Sequence, residues 1–255
     1  AQHRLDQEHD TALVFSAYAN EFYRLDALTS VRLEAGIGGR WWTRFDDVSQ
    51  FSGEVGVRLR RRLNTDFNAP WVAASLNLIG LKHLDSSIRD GGVLRAGLTS
   101  GKRFGHRLNG RLGYSYSVRR ATNDVVFDLE QHELFGQLDW QVTRQWLLYG
   151  ELSALEGELV STASLPSPRI RRHANAVPVE IDDAFGTGIN PLTNTARPRW
   201  TYQIDGLVLS GELGVNYPLA PGLAIDVAAR YVQAYAAGDN RYNGYIVNAG
   251  LLWHF

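Results

Sequence analysis

Residues able to do acid–base or nucleophilic chemistry are scattered along this chain. Its seven histidines are His3, His9, His83, His106, His132, His173 and His254. His132 stands among Asp128, Glu130 and Glu133, and an imidazole beside a carboxylate can act as a base or proton relay. Serines that could serve as nucleophiles are Ser86, Ser87, Ser161 and Ser164. Residues two apart on a strand share a face, so Asp128, Glu130 and His132 point one way and Glu133 the other. No local nucleophile motif, P-loop, dinucleotide fingerprint or zinc spacing occurs. Asp182-Asp183 near Asn190 lacks the regular oxygen-ligand spacing of a calcium loop. Cysteine is absent, which excludes disulfides and thiolate metal sites. The expectation is a protein that is not an enzyme and needs neither metal nor cofactor; a hydrolase or acyltransferase is the alternative kept.

The other charged residues follow a simpler order: they alternate with apolar neighbours. Arg32, Arg40, Arg44, Arg58, Arg60, Arg95 and Arg111 do so in the first half, accompanied only by Glu34 and Glu54. Further along, Glu133, Asp139, Glu151, Glu212 and Asp226 take such positions, accompanied by Arg230. On strands these residues would form one polar face, basic in its first part and acidic in its second. The net charge of -1 gives no general attraction for nucleic acid.

The elements that must carry this face are strands. Period-two segments run over Ala12–Arg24, Val31–Arg44, Phe51–Leu63, Trp71–His83, Val93–Arg103, Leu108–Arg119 and Val126–Val142. They continue over Trp146–Val160, Thr201–Tyr217, Leu223–Tyr235 and Tyr242–Phe255. Most exceed the roughly 9–11 tilted residues that cross a bilayer as a strand. Mean hydropathy is only -0.23, and no segment has the roughly 20 apolar residues of a membrane helix. Barrel strands escape that requirement because alternate residues alone meet lipid. Apolar stripes such as Val31/Leu33/Ala35/Ile37, Val72/Ala74/Leu76/Leu78 and Leu207/Leu209/Leu213/Val215 would be the lipid faces. Trp41, Trp140, Trp146, Tyr217, Trp253 and Phe255 fall near strand ends, where interfacial aromatics belong.

The spacing predicts an all-β, antiparallel up-and-down transmembrane β-barrel of about twelve strands, with ten as the fallback. Residues 1–11 form a polar N-terminal segment, too polar for a convincing strand, and 12–255 form the barrel. Eleven segments are an odd number, whereas bacterial single-chain barrels have even ones. The short connections 143–145, 104–107 and 218–222 are expected at the periplasmic end. A long outer loop is expected at about 161–200.

The chain ends Asn248-Ala249-Gly250-Leu251-Leu252-Trp253-His254-Phe255, with Tyr245, Val247, Ala249, Leu251, Trp253 and Phe255 on one face. This ending resembles the C-terminal signature of bacterial outer-membrane β-barrel proteins. The resemblance implies a place in the bacterial outer membrane, among lipopolysaccharide, and reading of Trp253 and Phe255 by the assembly machinery. Opposed basic and acidic walls also resemble the constriction of general porins. The function expected is a porin-like channel for small hydrophilic or charged solutes, lined by the charged residues named above and gated by the long loop. Arg169, Arg171, Arg172 and His173 in that loop are candidate ligands for phosphate groups. The alternatives are the C-terminal barrel of an export system, or a plugged barrel acting in surface recognition. In a narrow bore the same charges would pair and fill it, since about eight strands leave room only for side chains.

Overall fold

The computed structural model describes residues 10–43, 48–123, 125–163, 187–189, 196–198, 200–237 and 240–253. Arg44, Ser164, the loop residues Arg169, Arg171, Arg172 and His173, and the terminal Phe255 lie outside the described residues.

Alternating apolar and polar residues have only one way to satisfy backbone groups over such lengths, which is pairing with neighbours in a sheet. The strands are β1 (Ala12–Arg24), β2 (Thr29–Trp42), β3 (Gln50–Arg62), β4 (Trp71–His83), β5 (Gly91–Phe104), β6 (Leu108–Ala121) and β7 (Leu129–Gln141). They continue as β8 (Leu147–Ala163), β9 (Thr187–Ile189), β10 (Ala196–Pro198), β11 (Trp200–Ala220), β12 (Leu223–Ala236) and β13 (Asn240–Trp253). Eleven of them make one antiparallel sheet in the order β1-β2-β3-β4-β5-β6-β7-β8-β11-β12-β13. The sheet is an up-and-down wall curling into a half-barrel. β1 belongs to it along its whole length, Ala12 opposite Trp42 and Arg24 opposite Ser30. With eleven strands, β1 and β13 run in the same direction, and among the described residues they are not paired with each other. Eleven wall strands among the described residues agree with the expected up-and-down barrel of about twelve.

Connections 25–28, 63–70, 105–107, 142–146 and 221–222 gather at one end, the turn end. Connections 43–49, 84–90, 122–128, 164–199 and 237–239 gather at the other, the loop end. β8 runs to Ala163 and β11 starts at Trp200, so the connection expected at about 161–200 is 164–199. Between them β9 and β10 pair as a two-stranded ribbon. One departure is at 125–127. The alternation predicts a strand from Val126, but Val125–Phe127 is a 3-10 turn and β7 starts at Leu129. A three-residue apolar run has no polar face to offer the wall, and burial off the sheet is the better use of it.

The two faces differ in kind. One carries large apolar side chains left open: Leu98 is 63% exposed, Leu152 72% and Leu213 74%. At its loop end Trp41 lies 5.2 Å from both Phe15 and Phe51. At its turn end Trp146 lies 4.8 Å from Tyr217. The opposite face is polar, and side chains there reach past a neighbouring strand: Tyr149 on β8 bonds Asp226 on β12 across β11. The Val125–Phe127 turn touches both β6 and β11, passing over β7 and β8. Such reach is possible only on the inside of a curve, so the polar face is the concave one.

Candidate pore-lining face

Arg44 aside, the register puts the charged residues expected on the polar face along the concave side. Arg32 lies opposite Arg58, and Arg111 opposite Gln137. Glu212 lies opposite both Glu151 and Arg230. Many of these charges are held by local partners. Arg32 is ion-paired with Glu34 on its own strand. Arg111 reaches Asp139 on the next strand at 3.2 Å. The Arg230 guanidinium sits between Glu212 at 3.2 Å and Glu151 at 3.4 Å, neutralising part of the acidic side. Tyr149 donates its hydroxyl hydrogen to Asp226 at 2.8 Å, and Asn216 bonds the same carboxylate at 3.4 Å. The Ser115 hydroxyl donates to Glu133 at 3.3 Å.

A cluster of arginines is not neutralised in this way. Arg58 is half-buried, and Arg40, Arg60 and Arg95 are exposed; none is within ion-pair distance of a carboxylate among the described residues. Arg60 lies against the ring of Trp71 at 4.3 Å, and Arg40 lies 5.7 Å from Trp42, contacts that hold each guanidinium near the wall. Glu54 and Arg95 stand one row apart on the same face, toward the loop end.

Aromatic side chains on this face lie over glycines of the neighbouring strand. Tyr18 is opposite Gly36, Trp71 opposite Gly101, Phe135 opposite Gly113 and Tyr149 opposite Gly214. A Cβ at any of the four glycines would come within 2.5 Å of the facing ring. The missing side chain is what lets each ring lie along the wall instead of projecting from the concave face.

The clearest feature that sequence reasoning missed is at the loop end. Val126, Phe127, Leu129, Tyr202 and Ile204 are all buried, and among the described residues they are the buried apolar side chains larger than alanine. Phe127 lies 4.6 Å from the Arg89 guanidinium and 5.6 Å from that of Arg119. Its only sequence signal was the apolar run Val125-Val126-Phe127, which breaks the alternation.

Among the described residues, those weighed for catalysis are not assembled. His132 lies on the convex face, its Nδ1 2.6 Å from the Tyr114 hydroxyl and its ring 4.9 Å from that of Tyr116. Glu130, two residues away, is engaged by Arg120 at 2.7 Å and by the Tyr116 hydroxyl at 3.2 Å. His83, buried at the loop end, lies 3.7 Å from Asp90, whose carboxylate also pairs with Lys82.

No protein-family profile matches the chain, and no curated protein is similar to it. A solved porin shares its fold. The NanC porin aligns at a TM-score of 0.50 and 10% identity, over 93% of this chain and 99% of that one. The KdgM porin, solved in complex with disordered oligogalacturonate, aligns at 0.49 and 10% identity, over 96% of this chain and 99% of that one.

Proposed function

We propose that this protein is an outer-membrane channel that passes small hydrophilic or charged solutes along its concave face. The observation that carries the reading is the division between the two faces. Leucines and valines of all eleven wall strands stand open on the convex side, far beyond the few hundred Å² of apolar patch that a soluble monomer exposes. Lipid is the solvent that such a surface fits. The aromatic groups at both its ends match the two interfaces of a bilayer. The concave side carries ionised groups that stay solvated or locally paired, as a water-filled bore requires. The fold shared with NanC supports the same reading.

Selectivity would come from charge that local partners do not cancel. Arg40, Arg58, Arg60 and Arg95 supply a positive field on β2–β5. Glu133, Glu151, Glu212, Asp139 and Asp226 supply a weaker opposing field, reduced by Arg230 and Arg111. Replacing Arg58→Gln together with Arg60→Gln should shift the reversal potential under a salt gradient toward cations. Unchanged reversal potentials would remove these two residues from the mechanism.

A further inference from the structure

We propose that the Val125–Phe127 turn is a fixed cap that covers the concave face at the loop end over β6–β11 and leaves entry to the arginine-bearing side of β2–β4. The inference rests on the channel reading and adds a route to it.

The cap is built as a small core, not a swinging loop. Phe127 is 1% exposed and Val126 3%, packed with Tyr202 and Ile204 of β11. Arg89, from the β4–β5 connection, and Arg119, from β6, flank the Phe127 ring. Hydrogen bonds hold the cap from several sides. The Ala121 amide donates to the Asp128 carboxylate at 2.7 Å, and Gln203 of β11 donates to the Asp128 carbonyl. Arg119 donates to the Arg89 carbonyl at 2.6 Å, and Asn123 to the Ser87 carbonyl at 3.0 Å. The Thr122 amide donates to the Asp90 carbonyl at 2.8 Å. Two loop-end connections and β11 are thereby tied together above β7 and β8.

The position decides what lies beneath. On β7 the concave residues run Leu129, Gln131, Glu133 from the loop end inward, so Glu133 is the first acid below the cap. Arg58 is in the same cross-strand row, reached through Ser75, Gly97 and Ser115. β3 makes no contact with the cap of the kind β6 and β11 make. A solute arriving from the loop side would meet the cap above Glu133, whereas Arg58, four strands away in the same row, lies outside the strands that the cap contacts.

The chain has no cysteine, so single thiols can report on access. Arg58→Cys and Glu133→Cys, each in refolded protein in lipid vesicles, would be treated from the loop side with a bulky, charged, membrane-impermeant thiol reagent. Mass spectrometry would follow the extent of reaction. Arg58→Cys should react about ten-fold faster than Glu133→Cys, since access governs the rate when the thiols are otherwise alike. Adding Val126→Gly and Phe127→Gly should bring the two rates together. Equal rates with the cap intact would overturn the proposal. Because the readout is chemical, it holds even if the folded protein carries no current, an outcome that would overturn the channel reading alone.

Discussion

At the residue scale, Arg230 would set how much of the acidic side is felt in the proposed bore. Glu151 and Glu212 are direct cross-strand partners, an arrangement of like charges that destabilises a sheet unless a cation stands between them. Arg230 is that cation, and its contacts at 3.2 and 3.4 Å leave it about one-third exposed. Removing it through Arg230→Gln should release two carboxylates into the bore. Cation preference should rise, and stability should fall by no more than about 1 kcal/mol, because solvent screens a pair this exposed. Salt-gradient recordings and thermal unfolding would check the two parts. A wild-type reversal potential would mean that the acidic side contributes nothing to selectivity.

At the element scale, tight turns fix register, and the β1–β2 turn shows how. The amides of Leu28 and Thr29 each donate to the Asp26 carboxylate at 2.7 Å. Those bonds, the one from Leu28 foremost, hold the Asp26 carboxyl below the usual carboxylate range. A depressed carboxyl stabilises the fold above its unfolded pKa, about 3.9. That contribution is lost as pH falls through the lower folded value. Asp26→Ala should therefore lower the thermal midpoint at neutral pH, and the gap from wild type should shrink below about pH 3. A gap that is constant from neutral to acid pH would contradict this role. The strands themselves were legible because alternation is a local signal: β1 and β4 have the predicted bounds, Ala12–Arg24 and Trp71–His83. The cap was not, because the short run Val125-Val126-Phe127 breaks the alternation without saying where the chain goes when it leaves the sheet. Its stability comes from Arg89, Tyr202 and Ile204, residues up to 77 positions away on other elements. Likewise, alternation assigns charges to a face but cannot say that Arg111 meets Asp139 or that Arg230 bridges two acids. Those pairings depend on register, which only the assembled sheet defines.

At the scale of the whole molecule, the wall has two demands to meet at once. Its convex face is apolar and open, and its concave face is polar and charged. In the proposed channel a sheet curled within a bilayer would satisfy both, and the rings laid over Gly36, Gly101, Gly113 and Gly214 would keep the wall thin on the water side. The edges β1 and β13 point the same way, so antiparallel closure of the wall requires a strand running opposite to both. The most direct test of the account is the single-channel conductance of the folded protein in a planar bilayer, recorded under a salt gradient. Discrete, stable openings with a reversal potential displaced from zero are the expected result, for they report a water-filled, charged bore. A silent bilayer containing correctly folded protein would contradict it, meaning that the concave face is filled and conducts nothing.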